Sequence, residues 1–423
     1  MGSLYIVCSL QHDSISALLG SSSSKENLIV HHHHFRGYIL RATVGLLAIA
    51  CGLGMTIRQG RAQDADDPQD KSRVIEPDPR AALPTLQTIL RRGTFDSGEE
   101  EAFVKHYKKW SLPRLTTEKF RSRQPWKNDK PDVGTDIVRE IRSNLALAKT
   151  ASSDQVHQRL AALILEVLPS LAKSVSFHPA TRYNAMLIVG EVNSPDTVQT
   201  LVDIVKDPKQ SDVVKVAALI GLIHQASHKW IAEADVQAAV VGEMAALAAT
   251  PVPKDDRADA VRWMRGQAAE VLGQIGSPGK EGAAAAALLK MLGDNDLGPS
   301  QRAKAADALG RMNLAGASLV AGPYLEALGR LAADLVAAEK QQFNRRRIKG
   351  HLQFLLNGIK GPDAEHRGIA ELAKAGAEQT RLDALQKAID PLSQALDDPK
   401  ATEDVLLHEV EKASDALDAI IKK

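Results

Sequence analysis

The chain holds very little cysteine: 2 in 423 residues, Cys8 and Cys51. Both precede Ala62, so a product processed there keeps no thiol. That excludes disulfides, thiolate metal sites, cysteine nucleophiles and Cys-x-x-Cys-His haem attachment from it. Aromatic residues are scarce too, with 7 Phe, 5 Tyr and 4 Trp, while alanine comes in tracts such as 283–287. Strands favour aromatic and β-branched residues and helices favour alanine, so this balance argues against a sheet sandwich. Neither sign of charge prevails: 53 Lys and Arg stand against 52 Asp and Glu, and the net charge of +1 excludes a generally basic nucleic-acid binder. Long apolar runs are missing outside the N-terminal region, which excludes a multi-span membrane protein. What remains is 44% hydrophobic and 25% charged, the composition of a globular chain long enough for two or three domains.

The one apolar run that fits a membrane covers residues 42–57, from Ala42 to Ile57, behind Arg36 and Arg41. Small residues at Gly60 and Ala62 follow it, and a polar acidic run opens at Gln63. A positive flank, a short apolar core and small residues before the break are the layout of a secretory signal. The expectation is export to the periplasm or cell envelope with cleavage after Ala62. The alternatives are an uncleaved single-pass anchor over 42–57 and a lipoprotein signal read through Cys51. Residues 1–62 carry five Lys or Arg and two Asp or Glu, which leaves 48 against 50 in the processed chain. Four histidines, His31 to His34, lie in the same leading segment and are assigned no metal role.

A glycine register organises the middle of the chain. Four segments align on Gly190, Gly221, Gly273 and Gly310. Ala185, Val216, Ala268 and Ala305 sit five residues before the glycine, and Val192, Ile223, Ile275 and Met312 sit two after it. Arg182, Arg265 and Arg302 stand eight before it, and Val213 takes that place in the second segment. Pro195 and Pro278 lie five after the glycine, where they end one helix and open a turn. Each segment is followed by a second apolar helix. The spacings of 31, 52 and 37 residues fit a paired-helix unit with variable loops, whose apolar face only a neighbouring unit can cover.

These residues resemble the HEAT-repeat family, whose first helix reads Arg-x-x-Ala-Ala-x-x-Leu-Gly-x-Ile-Gly-x-Pro. The copy from Arg265 to Pro278 carries Ala268, Ala269, Leu272, Gly273, Ile275 and Gly276 in place. The resemblance implies an all-α, right-handed α-solenoid of stacked antiparallel helix pairs that holds a partner on a curved surface. Polar positions on the second helices, such as Gln199, Asp203, Glu243, Lys290 and Arg330, are then the expected contacts.

Elsewhere, Phe103, Tyr107 and Trp110 recur at i, i+4 and i+7 and predict a buried helix face, which wins over a base-stacking reading of the same stretch. Leu382, Leu385, Ile389, Leu392 and Leu396 form one seam, and Leu406, Val410, Ala413, Leu417 and Ile420 another, with a turn at Asp397–Ala401 between them. Two short seams predict a helical hairpin within the chain rather than a coiled-coil dimer. The resulting division is a leading segment read as disordered (1–35), signal or anchor (36–62), linker (63–80), irregular helical region (81–150), helical repeats (151–362) and C-terminal hairpin (363–423).

Chemistry is sparse. His224 and His228 are one helical turn apart, but Gln225 stands where a zinc protease motif needs Glu, and no third ligand can be named. The stretch from Gly273 to Lys280 departs from a phosphate loop in spacing, ends on Glu281 in place of Ser or Thr, and reads as a repeat turn. The expectation is therefore no catalytic residue, no cofactor, no metal and no enzyme activity. The densest basic cluster, Arg345, Arg346, Arg347 and Lys349, is with Arg330 the expected interaction patch, although such runs also serve as acid-paired ridges. The expected function is a scaffold of the cell envelope that binds a protein partner and no nucleic acid. The alternatives are an enzyme or enzyme subunit of the chromophore-lyase-like class and a structural protein anchored through residues 42–57.

Overall fold

The structure, a computed structural model, describes residues 72–117, 126–127, 130–131, 137–315, 317 and 319–421. The expected signal or anchor at 36–62 lies outside them. Among the described residues no helix is long and apolar enough to cross a membrane.

The fold is all-α, with fifteen α-helices among the described residues. They are α1 Leu86–Arg92, α2 Glu99–His106, α3 Ile137–Lys149, α4 Gln155–Lys173, α5 Pro179–Val189, α6 Pro195–Lys206, α7 Asp212–Ser227 and α8 Ala234–Ala248. Then follow α9 Ala258–Ile275, α10 Ala283–Leu292, α11 Pro299–Gly310, α12 Ala321–Gln341, α13 Arg345–Lys360, α14 Gly376–Asp397 and α15 Glu403–Ile421. A two-residue antiparallel pair, Trp126–Lys127 with Lys130–Pro131, is the sheet among these residues.

Local chemistry sets most boundaries. Pro179, Pro195 and Pro299 open their helices, where a missing N–H costs nothing. Ser194 caps α6 through its hydroxyl, and the Asn344 side chain accepts from the Arg347 N–H at 2.9 Å to cap α13. Gly276 ends α9 with φ at 73°. The turn that superficially resembles a phosphate loop joins α9 to α10, with the Pro278 carbonyl accepting the Ala284 N–H at 3.0 Å.

The chain divides into two compact units, one of residues 64–243 and one that includes residues 244–423, and the division falls inside α8. In the first, α5 packs on α4 and α7, and α6 packs on α4 and α7. In the second, α9, α11 and α13 pack in succession, α10 packs on α11 and α12, and α12 also packs on α14 and α15. Alternate helices thus meet their next-but-one neighbour as well as their immediate one.

The register glycines are where the helices of one row cross. A Cβ on Gly190 would lie 2.6 Å from the Gly221 Cα, and a Cβ on Gly310 would lie 1.9 Å from the Asn357 carbonyl oxygen. Neither side chain fits without moving backbone. The arginine eight residues before the glycine is buried and ties helix to helix. Its Nε donates to a carbonyl near the C-terminus of an earlier helix: Arg182 to Ala172 at 2.8 Å, Arg265 to Ala248 at 2.8 Å, Arg302 to Leu292 at 2.7 Å. Such carbonyls lack a helical partner and carry the negative end of the dipole, so a guanidinium suits them twice over.

The expected aromatic face is largely present. Phe103 and Tyr107 are fully buried with ring centres 4.8 Å apart. A widened π-type turn over Tyr107–Ser111 then shifts the register, so Trp110 is only half-buried and lies 5.2 Å from the Arg114 guanidinium. The C-terminal seams pack α14 on α15, with Leu382, Leu385, Ile389, Leu392 and Leu396 facing Leu406, Val410, Ala413 and Leu417 in a buried layer. The described part of the linker is laid down by its backbone: the Arg73 N–H donates to Ser176 O at 2.7 Å, the Ile75 N–H to Thr116 Oγ1 at 2.8 Å and the Asp78 N–H to Lys109 O at 2.8 Å.

Candidate functional site

The C-terminal end of α7 gathers a group of titratable and aromatic side chains. Gln225 is completely buried and donates through Nε2 to Gly190 O at 2.8 Å and Val192 O at 2.9 Å, which fastens this end of α7 to the end of α5. The Trp230 N–H then donates to Gln225 O at 2.9 Å, across Lys229, whose φ of 57° is in the left-handed region. That reversal lays the indole against the last turn. The imidazoles of His224 and His228 stack with centres 4.2 Å apart, and Trp230 lies 5.3 Å from the first and 4.9 Å from the second.

Other elements supply the charges. From α3, the Lys149 ammonium lies 4.4 Å from the centre of the Trp230 ring, a cation–π contact. Arg142, also on α3, pairs with Glu191 at 2.7 Å, and Glu191 lies 3.5 Å from His224 Nε2. Burial pushes the Glu191 carboxyl up, with Arg142 and His228 pulling the other way. Burial first, then His228, Arg142 and Lys149, hold the His224 imidazole down at about 3. At neutral pH His224 is uncharged, so its contact with Glu191 is not an ion pair.

The Ser227 hydroxyl donates to His224 O at 2.9 Å and lies 3.2 Å from Nδ1 of His228. Nδ1 of His228 is engaged too, 2.9 Å from the same carbonyl. Among the described residues no group of three or more His, Cys, Asp or Glu is placed to hold a metal ion. What the corner presents is a half-buried indole bordered by an exposed imidazole and an exposed ammonium.

The basic patch expected in the second unit is largely spent on its own chain. Arg345 donates to the carbonyls of Leu396, Asp398 and Ala401, closing the end of α14. Arg347 grips the buried Glu339 at 2.7 and 3.0 Å and also bonds Gln342 O. Lys349 pairs with Asp397 at 2.7 Å, and Arg330 pairs with Glu326 one turn away. Arg346 is exposed and makes no hydrogen bond or ion pair with another described residue. The other expected contact positions also have partners: Gln199 bonds Asp203 at 2.7 Å, Glu243 pairs with Lys206 at 2.9 Å and Lys290 donates to Ala249 O at 2.8 Å.

Sequence reading singled out His224 and His228 but missed Arg142, Lys149 and Glu191. A signal for Glu191 was present. If Gly190 and Gly221 touch, residues just beyond them must be neighbours, and Glu191 and His224 are one and three residues beyond. Nothing comparable marks Arg142 or Lys149. Comparison with protein-family models, curated proteins and solved structures finds no match for this chain.

Proposed function

We propose that this chain is a non-catalytic, protein-binding helical-repeat module: a right-handed α-solenoid of stacked antiparallel helix pairs, exported to the cell envelope, that holds a protein partner on its surface. The observation that carries the reading is the recurrence of one packing device. Arg182, Arg265 and Arg302 each cap an earlier helix from the same place in the glycine register. Recurrence of one joint is the mark of a stacked repeat, and a repeat surface suits an extended partner better than a small metabolite. The corner at Trp230 supports a protein partner, because Trp with neighbouring cations supplies large contact area at low entropic cost.

Cross-linking in intact cells, isolation of the cross-linked partner and rebinding of the purified pair test this reading. Trp230→Ala with Lys149→Ala is expected to weaken rebinding at least tenfold, about 1.4 kcal/mol, without loss of helical content. Unchanged affinity would remove this corner from the interface, and hydrolytic or transfer activity in the purified chain would overturn the non-catalytic reading. For the address, N-terminal sequencing of the mature protein is expected to begin at Gln63; a start upstream of residue 42 favours the anchored alternative.

A further inference from the structure

We propose that the corner built by Arg142, Lys149, Glu191, His224, His228 and Trp230 is an acid-operated latch, which holds the segment 228–230 against the end of α7 at neutral pH and lets it go when the His224 imidazole is protonated. The inference is independent of any partner. It follows from the inventory of charge at one place. At neutral pH the uncharged His224 ring stacks on His228, and Glu191 answers Arg142 at 2.7 Å. On acidification a proton on His224 has to share the corner with the Arg142 guanidinium and the Lys149 ammonium, with Glu191 the carboxylate that faces it at 3.5 Å among the described residues. Burial also holds Glu191 toward its neutral form, so the compensating charge fades as the cations accumulate.

The surroundings offer no further relief. The charges acting on His224 come from α3 (Arg142, Lys149) and from α7 itself (His228). Glu191, two residues beyond the end of α5, is already engaged by Arg142. On α4, His157 is held down by burial and by the Lys149 ammonium, against a smaller pull from Asp154 at the helix start. α6, which also packs on α7, carries Asp196, Asp203 and Lys206, of which Asp203 accepts from Gln199 and Lys206 pairs with Glu243. What the latch holds is short and defined: the His228 N–H to His224 O at 3.2 Å, the Lys229 N–H to Ala226 O at 3.0 Å and the Trp230 N–H to Gln225 O at 2.9 Å. Lys229 is in the left-handed region, a conformation that a lysine keeps only while its neighbours enforce it.

A released imidazole takes its proton near pH 6.5, whereas His224 in place does so at about 3. Linkage then runs one way. The closed form binds fewer protons, so it is favoured above about pH 6.5 and loses ground as pH falls; at pH 4.5 the equilibrium has moved about a hundredfold toward release.

Amide hydrogen exchange on the whole chain reads this directly. Corrected for the intrinsic pH dependence, protection of the 228–230 amides is expected to fall about a hundredfold between pH 7 and pH 4.5, while amides within α5, such as Met186, keep theirs. His224→Gln is expected to reduce that fall to less than threefold. His228→Gln, at an exposed position that tolerates change, is expected to give a smaller fall than the native chain. Unchanged protection at pH 4.5 overturns the proposal. So does a full fall in both variants, or an equal loss across α5, which is unfolding of the unit rather than release of a segment.

Discussion

In the unit of residues 64–243 the guanidinium of Arg182, having capped α4, ends on the neutral amide of Gln210 at 2.8 Å. In the unit that holds residues 244–423 the equivalent arginines end on carboxylates, Arg265 on Asp294 at 2.6 Å and Arg302 on Asp334. The joint is the same and the charge balance is not. With no acid beside it, burial lowers the pKa of Arg182, while Asp294, which burial would push up, is held below the usual carboxylate range by the bonds from Arg265 and the Asp296 N–H. The buried titratable groups divide in the same way. Against His106, His157 and His224 in the first unit stands His351 in the second, all lowered chiefly by burial. More of the imidazoles lowered by burial thus lie in residues 64–243, and the arginine joints that end on carboxylates lie in 244–423.

The sharpest way to break this contrast is to remove the arginines. Arg265→Met strips the partner from Asp294 and leaves the Ala248 carbonyl without its donor, at a cost of about 3–4 kcal/mol. Arg182→Met leaves only neutral groups behind, and about 1–2 kcal/mol is expected. Denaturant unfolding of the two variants gives both numbers, and equal losses would show that the carboxylate adds nothing to the joint.

Acid is the next lever. His106 is almost fully buried, accepts the Leu83 N–H through Nδ1 at 3.0 Å and takes its proton only at about 4. Its folded value is depressed, so its contribution is complete above about pH 6.5 and drains away as pH falls from there to about 4, on the order of 3 kcal/mol at the end. His351, 2.9 Å from the Ser300 hydroxyl and also at about 4, does the same for the second unit. Stability resolved by unit, from exchange of the slowest amides at pH 7 and pH 5, is expected to drop further in residues 64–243 than in 244–423. A larger drop in the second unit would reverse the comparison.

The smallest effect is expected where charge was densest in the sequence. Arg346→Glu should change stability by less than about 0.5 kcal/mol, whereas Arg347→Glu sets a second carboxylate against the buried Glu339 and should unfold α13 from α12. Retention on an anionic resin, compared between native chain and Arg346→Glu, measures how much of the original patch is left to bind anything outside the chain.

The helices were legible because their causes are local, and the structure adds what the register glycines do. Gly190, Gly221 and Gly310 mark contacts where no side chain fits, Pro195 and Pro299 mark starts, and the leucine spacing of α14 and α15 marks the buried side of each. The place of an arginine eight before the glycine was visible as well, but its task was not, since the carbonyl it caps belongs to another helix. The basic run at 345–349 shows the same limit from the other side. Its charge was plain, and its partners, Glu339, Asp397 and the end of α14, arrive from up to 56 residues away.

Periodicity, helix starts and the register of close approach act over one or two turns of chain, and the sequence by itself determined them. Whether a charge is free, paired or buried depends on which distant segment is brought within a few ångströms of it. Coulomb and desolvation energies vary steeply over that distance, so only the tertiary structure decided that Arg347 is spent and that Lys149 rests on Trp230.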